Sequence, residues 1–173
     1  MKLITMIGSL AFSSSLLACA TEPTLGEDTQ ATAGSGGTTV VASRVTLPAV
    51  TVDFKSSEYV QDFELELKAK QPFDIQTNLV TYQPGGYSGW HTHPGPTIIS
   101  VKSGTVVEYD GNDPTCTPHP IAPGTGTIEV HDTDHIHMVR NEGSTIAELT
   151  VTYLLPVGSP LRLDRPNPGY CPF

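Results

Sequence analysis

Two histidines stand one residue apart in Gly-Trp-His-Thr-His-Pro, His91 and His93, and a third, His137, follows in His-Ile-His-Met-Val-Arg-Asn. Neutral imidazole is a ligand for zinc, iron, nickel, copper and manganese, and its lone pair is available near neutral pH. On an extended chain, side chains two apart face the same way, so His91 and His93 address one point while Trp90 and Thr92 face away. Two imidazoles from one strand need a partner from elsewhere to enclose an ion. His137 is the first candidate, and His135, which shares its parity, could replace it or add a ligand. The chemistry predicted is a divalent-metal site (Fe, Zn, Mn, Ni or Cu).

The elements that would carry these residues read as short strands between turns. Residues 63–67 (Phe-Glu-Leu-Glu-Leu) alternate with period two, which predicts one buried and one wet face. Residues 75–82 form a second strand ending at Pro84-Gly85-Gly86, and 97–109 read as two strands around Lys102-Ser103-Gly104. The proline density of 110–123 excludes a helix there. Residues 126–130, 136–139 and 145–155 complete the pattern, and no helical repeat exceeds two turns, so an all-β barrel or sandwich is predicted. The folded part is expected over 46–156. The tail, 157–173, is too rich in proline for central strands and is expected to form an irregular strap, ordered if Cys171 is paired and frayed if not.

Residues 1–18 read as an export signal, with an apolar run too short for a permanent membrane span. Leu16-Leu17-Ala18-Cys19 resembles the bacterial lipoprotein signal, in which the cysteine after the cleavage point is lipidated. The expectation is an outer-membrane lipoprotein facing the periplasm, anchored to the membrane at Cys19. Ordinary secretion, with cleavage near Ala18 or Ala20, is the alternative. Residues 19–45, rich in Thr, Gly, Ala and Ser, read as a flexible tether, although valine enrichment from Thr39 onward marks an earlier start to the folded part. In an oxidising compartment Cys116 and Cys171 are expected to form a disulfide; His119, three residues from Cys116, keeps a metal role for that cysteine open. The net charge of −9 and the absence of a Lys/Arg cluster argue against nucleic acid as a partner. The apolar content suffices for one core.

The spacing resembles the cupin superfamily. The first cupin motif, G-x5-H-x-H-x3,4-E-x6-G, is met by Gly85, His91, His93 and Gly104, with Thr97 at the glutamate position. The second, G-x5-P-x-G-x2-H-x3-N, maps onto Gly126, His137 and Asn141, with Asp132 and Asp134 replacing its proline and inner glycine. The resemblance implies a double-stranded β-helix, or jelly-roll barrel, with His91, His93 and His137 as metal ligands inside it. Without a glutamate at Thr97, an ion would have three neutral ligands and several open positions, as in some cupin-like dioxygenases. Thr97, His135, Asp132 or Asp134 could each supplement the set. Asn141 is expected to bond backbone near a turn, Trp90 to pack, and His119 and His131 to be solvent-facing or loop residues. Tyr87 could overhang the pocket and hydrogen-bond a substrate.

Two functions follow as expectations: a metal-dependent oxygenase or isomerase acting on a small organic molecule, or a noncatalytic, envelope-attached module that binds a small molecule or a metal. No nicotinamide-binding glycine fingerprint or phosphate loop is present, and Ser88 lies outside a G-x-S-x-G elbow. Family members often pair their barrels through exposed strands, so a homodimer is compatible with the chain.

Overall fold

The computed structural model describes residues 34–57, 62–130 and 135–173. The expected leader, Cys19, and the residues His131, Asp132 and Asp134 lie outside the described residues. The strands are β1 (Ser35–Leu47), β2 (Val50–Ser56), β3 (Phe63–Ala69), β4 (Phe73–Tyr87), β5 (His91–Thr92), β6 (Thr97–Ser103), β7 (Val106–Asp110), β8 (His119–Ile121), β9 (Gly126–Glu129), β10 (His137–Arg140), β11 (Ala147–Pro156) and β12 (Leu163–Asp164). Among the described residues there is no helix.

Ten strands form one antiparallel sheet that curls into a nearly closed barrel in the order β12-β5-β10-β4-β11-β6-β9. Strand β1 lies on β4, and β7 joins β10 to β8. This is the all-β barrel that the alternation predicts, in the jelly-roll form that the resemblance implies. Period-two alternation fills it: on β6, Thr97, Ile99 and Val101 point inward while Ile98, Ser100 and Lys102 face out. With Val80, Val106, Ile121, Val139, Ala147, Leu149 and Val151 they make the barrel core. A second cluster, Trp90, Val107, Tyr109, Met138 and Cys171, lies on the outward faces of β7 and β10 under the C-terminal tail. Cys116 and Cys171 are joined in a disulfide across 55 residues. The tail is therefore an ordered strap, pinned also by the β12–β5 pairing and by Arg165 N donating to Trp90 O at 2.9 Å.

Two expectations are corrected. The tether predicted over 19–45 gives way to strand from Ser35 onward, and β1 pairs with β4 along most of its length. Every β1 side chain is exposed, so its strand character comes from backbone bonds to β4, which need no apolar side chains. The wet-and-dry alternation predicted for 63–67 is also absent. Hairpin β2–β3 forms a separate two-stranded sheet, and Phe63 and Leu65 on its apolar positions are 53% and 50% exposed.

One glycine positions the site directly. A Cβ at Gly126 would stand 2.2 Å from Ile99 O, so only glycine lets β9 start flush against β6. That pairing sets Thr97 opposite Glu129.

Candidate metal centre

His91 and His137 are direct cross-strand partners on β5 and β10, and His93 follows just past β5. Ring centroids are 4.3 Å apart for His91–His137, 4.7 Å for His91–His93 and 5.1 Å for His93–His137. One ring nitrogen from each lies within 4.8 Å of the other two. Backbone fixes the tautomers: Nδ1 donates to Gly89 O at 2.9 Å in His91, to Leu161 O at 2.7 Å in His93 and to His135 O at 3.3 Å in His137. Each Nε2 is then left with its lone pair, the arrangement that presents imidazole to a cation. Burial, aided by nearby positive groups, holds His91 well below the ordinary histidine pKa, and burial lowers His137 to about 4. Both rings are neutral at physiological pH.

A carboxylate lies against two of the three histidines. Across the sheet, Gln76, Tyr153, Thr97 and Glu129 are successive register partners on β4, β11, β6 and β9. Glu129 is buried, with Oε2 at 3.3 Å from His93 Nε2 and Oε1 at 3.5 Å from His137 Nε2. Both Glu129 oxygens, His137 Nε2 and Thr97 Oγ1 lie buried with no hydrogen-bond partner. Leaving such a group unsatisfied costs about 1–3 kcal/mol, and more if it is charged. Three imidazole lone pairs brought together, with a buried carboxylate beside two of them, fit a divalent cation.

Beside the cluster is a cavity of about 160 Å³. Its apolar wall includes Val80, Ile99 and Val151, and its polar groups include Asn78, Tyr82 and Tyr153. Burial raises the pKa of both phenols, so they remain hydrogen-bond donors. Asn78 Nδ2 is buried and without a partner. The strap contributes Leu161 and Arg162; Arg162 Nη1 donates to Ser88 O at 2.7 Å, and its Nε to Asp164 at 2.7 Å. A second cavity, of about 430 Å³, is lined by Glu108, Asp110, His119 and His135. Burial, with the Glu129 and Asp110 charges, raises Glu108 to about 7.

The cupin domain family matches residues 78–153, which contain all three clustered histidines and Glu129. The match covers less than half of the chain and marks residues 78–153 as a cupin domain. No curated protein matches the sequence. Among solved structures, the chain is similar to an oxalate oxidase in complex with the substrate analogue glycolate, at 23% identity and TM-score 0.40 over 46% of this chain and 41% of that one. It is similar to a conserved protein of unknown function from Streptococcus pyogenes, at 13% identity and TM-score 0.39 over 47% of this chain and 65% of that one. It is also similar to a cupin superfamily protein from Desulfitobacterium hafniense, at 12% identity and TM-score 0.39 over 63% of this chain and 81% of that one. The chain thus spans less than two thirds of the first two of these structures.

Within the cupin barrel, the predicted trio His91, His93 and His137 comes together, and Thr97 lines the same cavity. His135 does not join the trio: its ring stacks on His137 at 5.5 Å, and its Nδ1 lies 3.8 Å from Asp110. Tyr87, which the sequence allows to overhang the pocket, lies off the cavity beside the Trp90 cluster, with the Arg140 guanidinium 5.4 Å from its ring centroid. The phenols in the cavity are Tyr82 and Tyr153 instead. Asn141 serves the turn as expected, donating to Tyr82 O and Thr145 O at 2.9 and 2.8 Å and accepting from Gly143 N. His119 is exposed on β8 opposite Glu108, and Cys116 is in the disulfide. Glu129, Asn78 and the strap's Leu161 and Arg162 were not foreseen. The one sequence signal for Glu129 is an acid at an inward period-two position of Thr-Ile-Glu-Val, between two apolar neighbours that both turn out exposed.

Proposed function

We propose that this cupin binds a divalent metal ion through His91, His93 and His137 and acts as an oxygenase or isomerase on a small organic molecule held beside the ion. The observation that carries the reading is the convergence of three imidazoles whose Nδ1 atoms are all committed to backbone carbonyls. Bound metal would supply Lewis acidity and open coordination positions. The chain's own part is to seat and orient the substrate. A cavity of about 160 Å³ is close to the roughly 150 Å³ void that accepts benzene, and well below drug-sized sites of about 300–1,000 Å³. Asn78 Nδ2 and the protonated phenols of Tyr82 and Tyr153 offer donors to it, while Val80, Ile99 and Val151 exclude water from its apolar side.

The test is metal analysis of untagged protein purified without added metal. A stoichiometric metal is expected, and a His91→Ala/His93→Ala double substitution should remove it. If the metal is iron, oxygen consumption across a panel of small organic molecules should follow. Bound metal with no turnover on any panel member would leave the noncatalytic binding module as the function. Absence of metal from both native and reconstituted protein would overturn the reading.

The Cys116–Cys171 disulfide supports an oxidising compartment, and with it the export and membrane attachment through Cys19 that belong to the same proposal. Lipid labelling of the full chain should be abolished by Cys19→Ala; labelling that persists would reject the anchor.

A further inference from the structure

The cupin motif places its acidic ligand at position 97, where this chain has threonine. Linear reading makes the site three neutral imidazoles. The structure assigns a different composition: we infer that Glu129 supplies the carboxylate ligand from the strand next door, replacing across the β6–β9 ladder the acid missing at Thr97. This inference rests on the metal-binding reading.

Thr97 and Glu129 are direct register partners, and side chains so paired stand on the same face about 4.5–5.5 Å apart at Cβ. Both are buried in the barrel, and Glu129 has the longer reach. Its oxygens approach two of the three histidines, each at the Nε2 left free by a backbone-bonded Nδ1. The rest of the neighbourhood does not satisfy them: both oxygens lack a hydrogen-bond partner, as do His137 Nε2 and Thr97 Oγ1 nearby. A carboxylate kept only to brace the fold would be expected to accept from backbone or hydroxyl donors, as Asp74 does from Thr46, Arg44 and Gly158. Glu129 sits in the unspecified part of the second motif, between Gly126 and the proline position at Asp132, so motif spacing gives it no role. The chemical consequence is a charge of −1 from the ligand set in place of zero. That favours hard divalent ions such as Mn(II) and Fe(II) over what three imidazoles alone would hold.

Zn(II) and Co(II) affinity of the full-length protein, measured by chelator competition, tests this alongside the visible spectrum of the Co(II) form. Glu129→Gln, close to the native shape, should weaken binding more than about 100-fold, beyond the loss typical of disturbing a group that only supports a ligand. The Co(II) bands should shift with it. The exchange Thr97→Glu/Glu129→Thr should restore affinity to within about 10-fold of the parent, because the carboxylate returns to the same space from the other strand. Wild-type affinity and an unchanged Co(II) spectrum in Glu129→Gln would overturn the inference while leaving the histidine site standing. So would failure of the exchange to recover binding in a protein that melts like the parent. A wild-type chain that takes up no metal would remove both readings.

Discussion

Asp74 joins three parts of the chain at one buried carboxylate. It accepts from Arg44 Nη2 and Thr46 Oγ1 on β1, both at 2.6 Å, and from Gly158 N beyond β11 at 3.1 Å. The Thr46 hydroxyl, the Arg44 guanidinium and the Gly158 amide lower its pKa from 3.8 to about 2. Because the folded value lies below the unfolded one, the contribution is complete above about pH 4. It is lost as the pH falls through about 2, where the folded carboxylate also takes up a proton. The melting temperature is therefore expected to decline between pH 4 and 2, with Asp74→Asn lowering the neutral-pH value and flattening that decline, as calorimetry at stepped pH will read. At the same scale, the clustered histidines were legible because their chemistry is carried by type and spacing. The polar partners around them were not. His93 is held by a carbonyl 68 residues away, and Glu129 acquires its position only through the pairing of β9 with β6.

The strap is the element on which site and stability meet. Leu161 orients His93, Arg162 closes the cavity side, β12 pairs with β5 behind His91, and the disulfide holds the far end. Replacing Cys116 and Cys171 by serine should lower the unfolding free energy by about 2–5 kcal/mol, the range typical of native disulfides in small domains, measured by denaturant titration. Metal affinity should fall about 10-fold or more in the same variant, since the acceptor for His93 Nδ1 then rides on a loosened segment. Proline content and the paired cysteine made the strap readable in outline. Its contribution of a backbone oxygen to the site was not, because any residue supplies the same carbonyl. Strand β1 escaped for a related reason: it buries no side chain, so its composition matched that of a linker. Along β4 the pattern itself inverts, with Asp74, Gln76 and Asn78 inward and Leu79 51% exposed, because that end of the barrel is filled by hydrogen bonds from Arg44 and between Gln76 and Asn78.

Taken whole, the molecule separates a cohesive barrel from a hairpin that adds no buried apolar residue to it. Val52, Phe54, Phe63 and Leu65 on β2–β3 are all at least 36% exposed, whereas Leu149 in the barrel core is 4% exposed. Phe54→Ser with Phe63→Ser should change barrel stability by less than about 1 kcal/mol, while Leu149→Ala should cost about 2–5 kcal/mol, compared in parallel urea titrations. The class of fold was legible because period-two alternation on β6 and β11 reports burial directly. The hairpin was not, because its alternation is genuine while the surface it would cover is missing among the described residues. The facing of Thr97 and Glu129 carries a last consequence. A sheet gives one location two addresses in the chain, far apart in numbering and adjacent in space. A reader who compares sequences column by column records a deletion of acidity here, where a reader who compares rungs records a transfer.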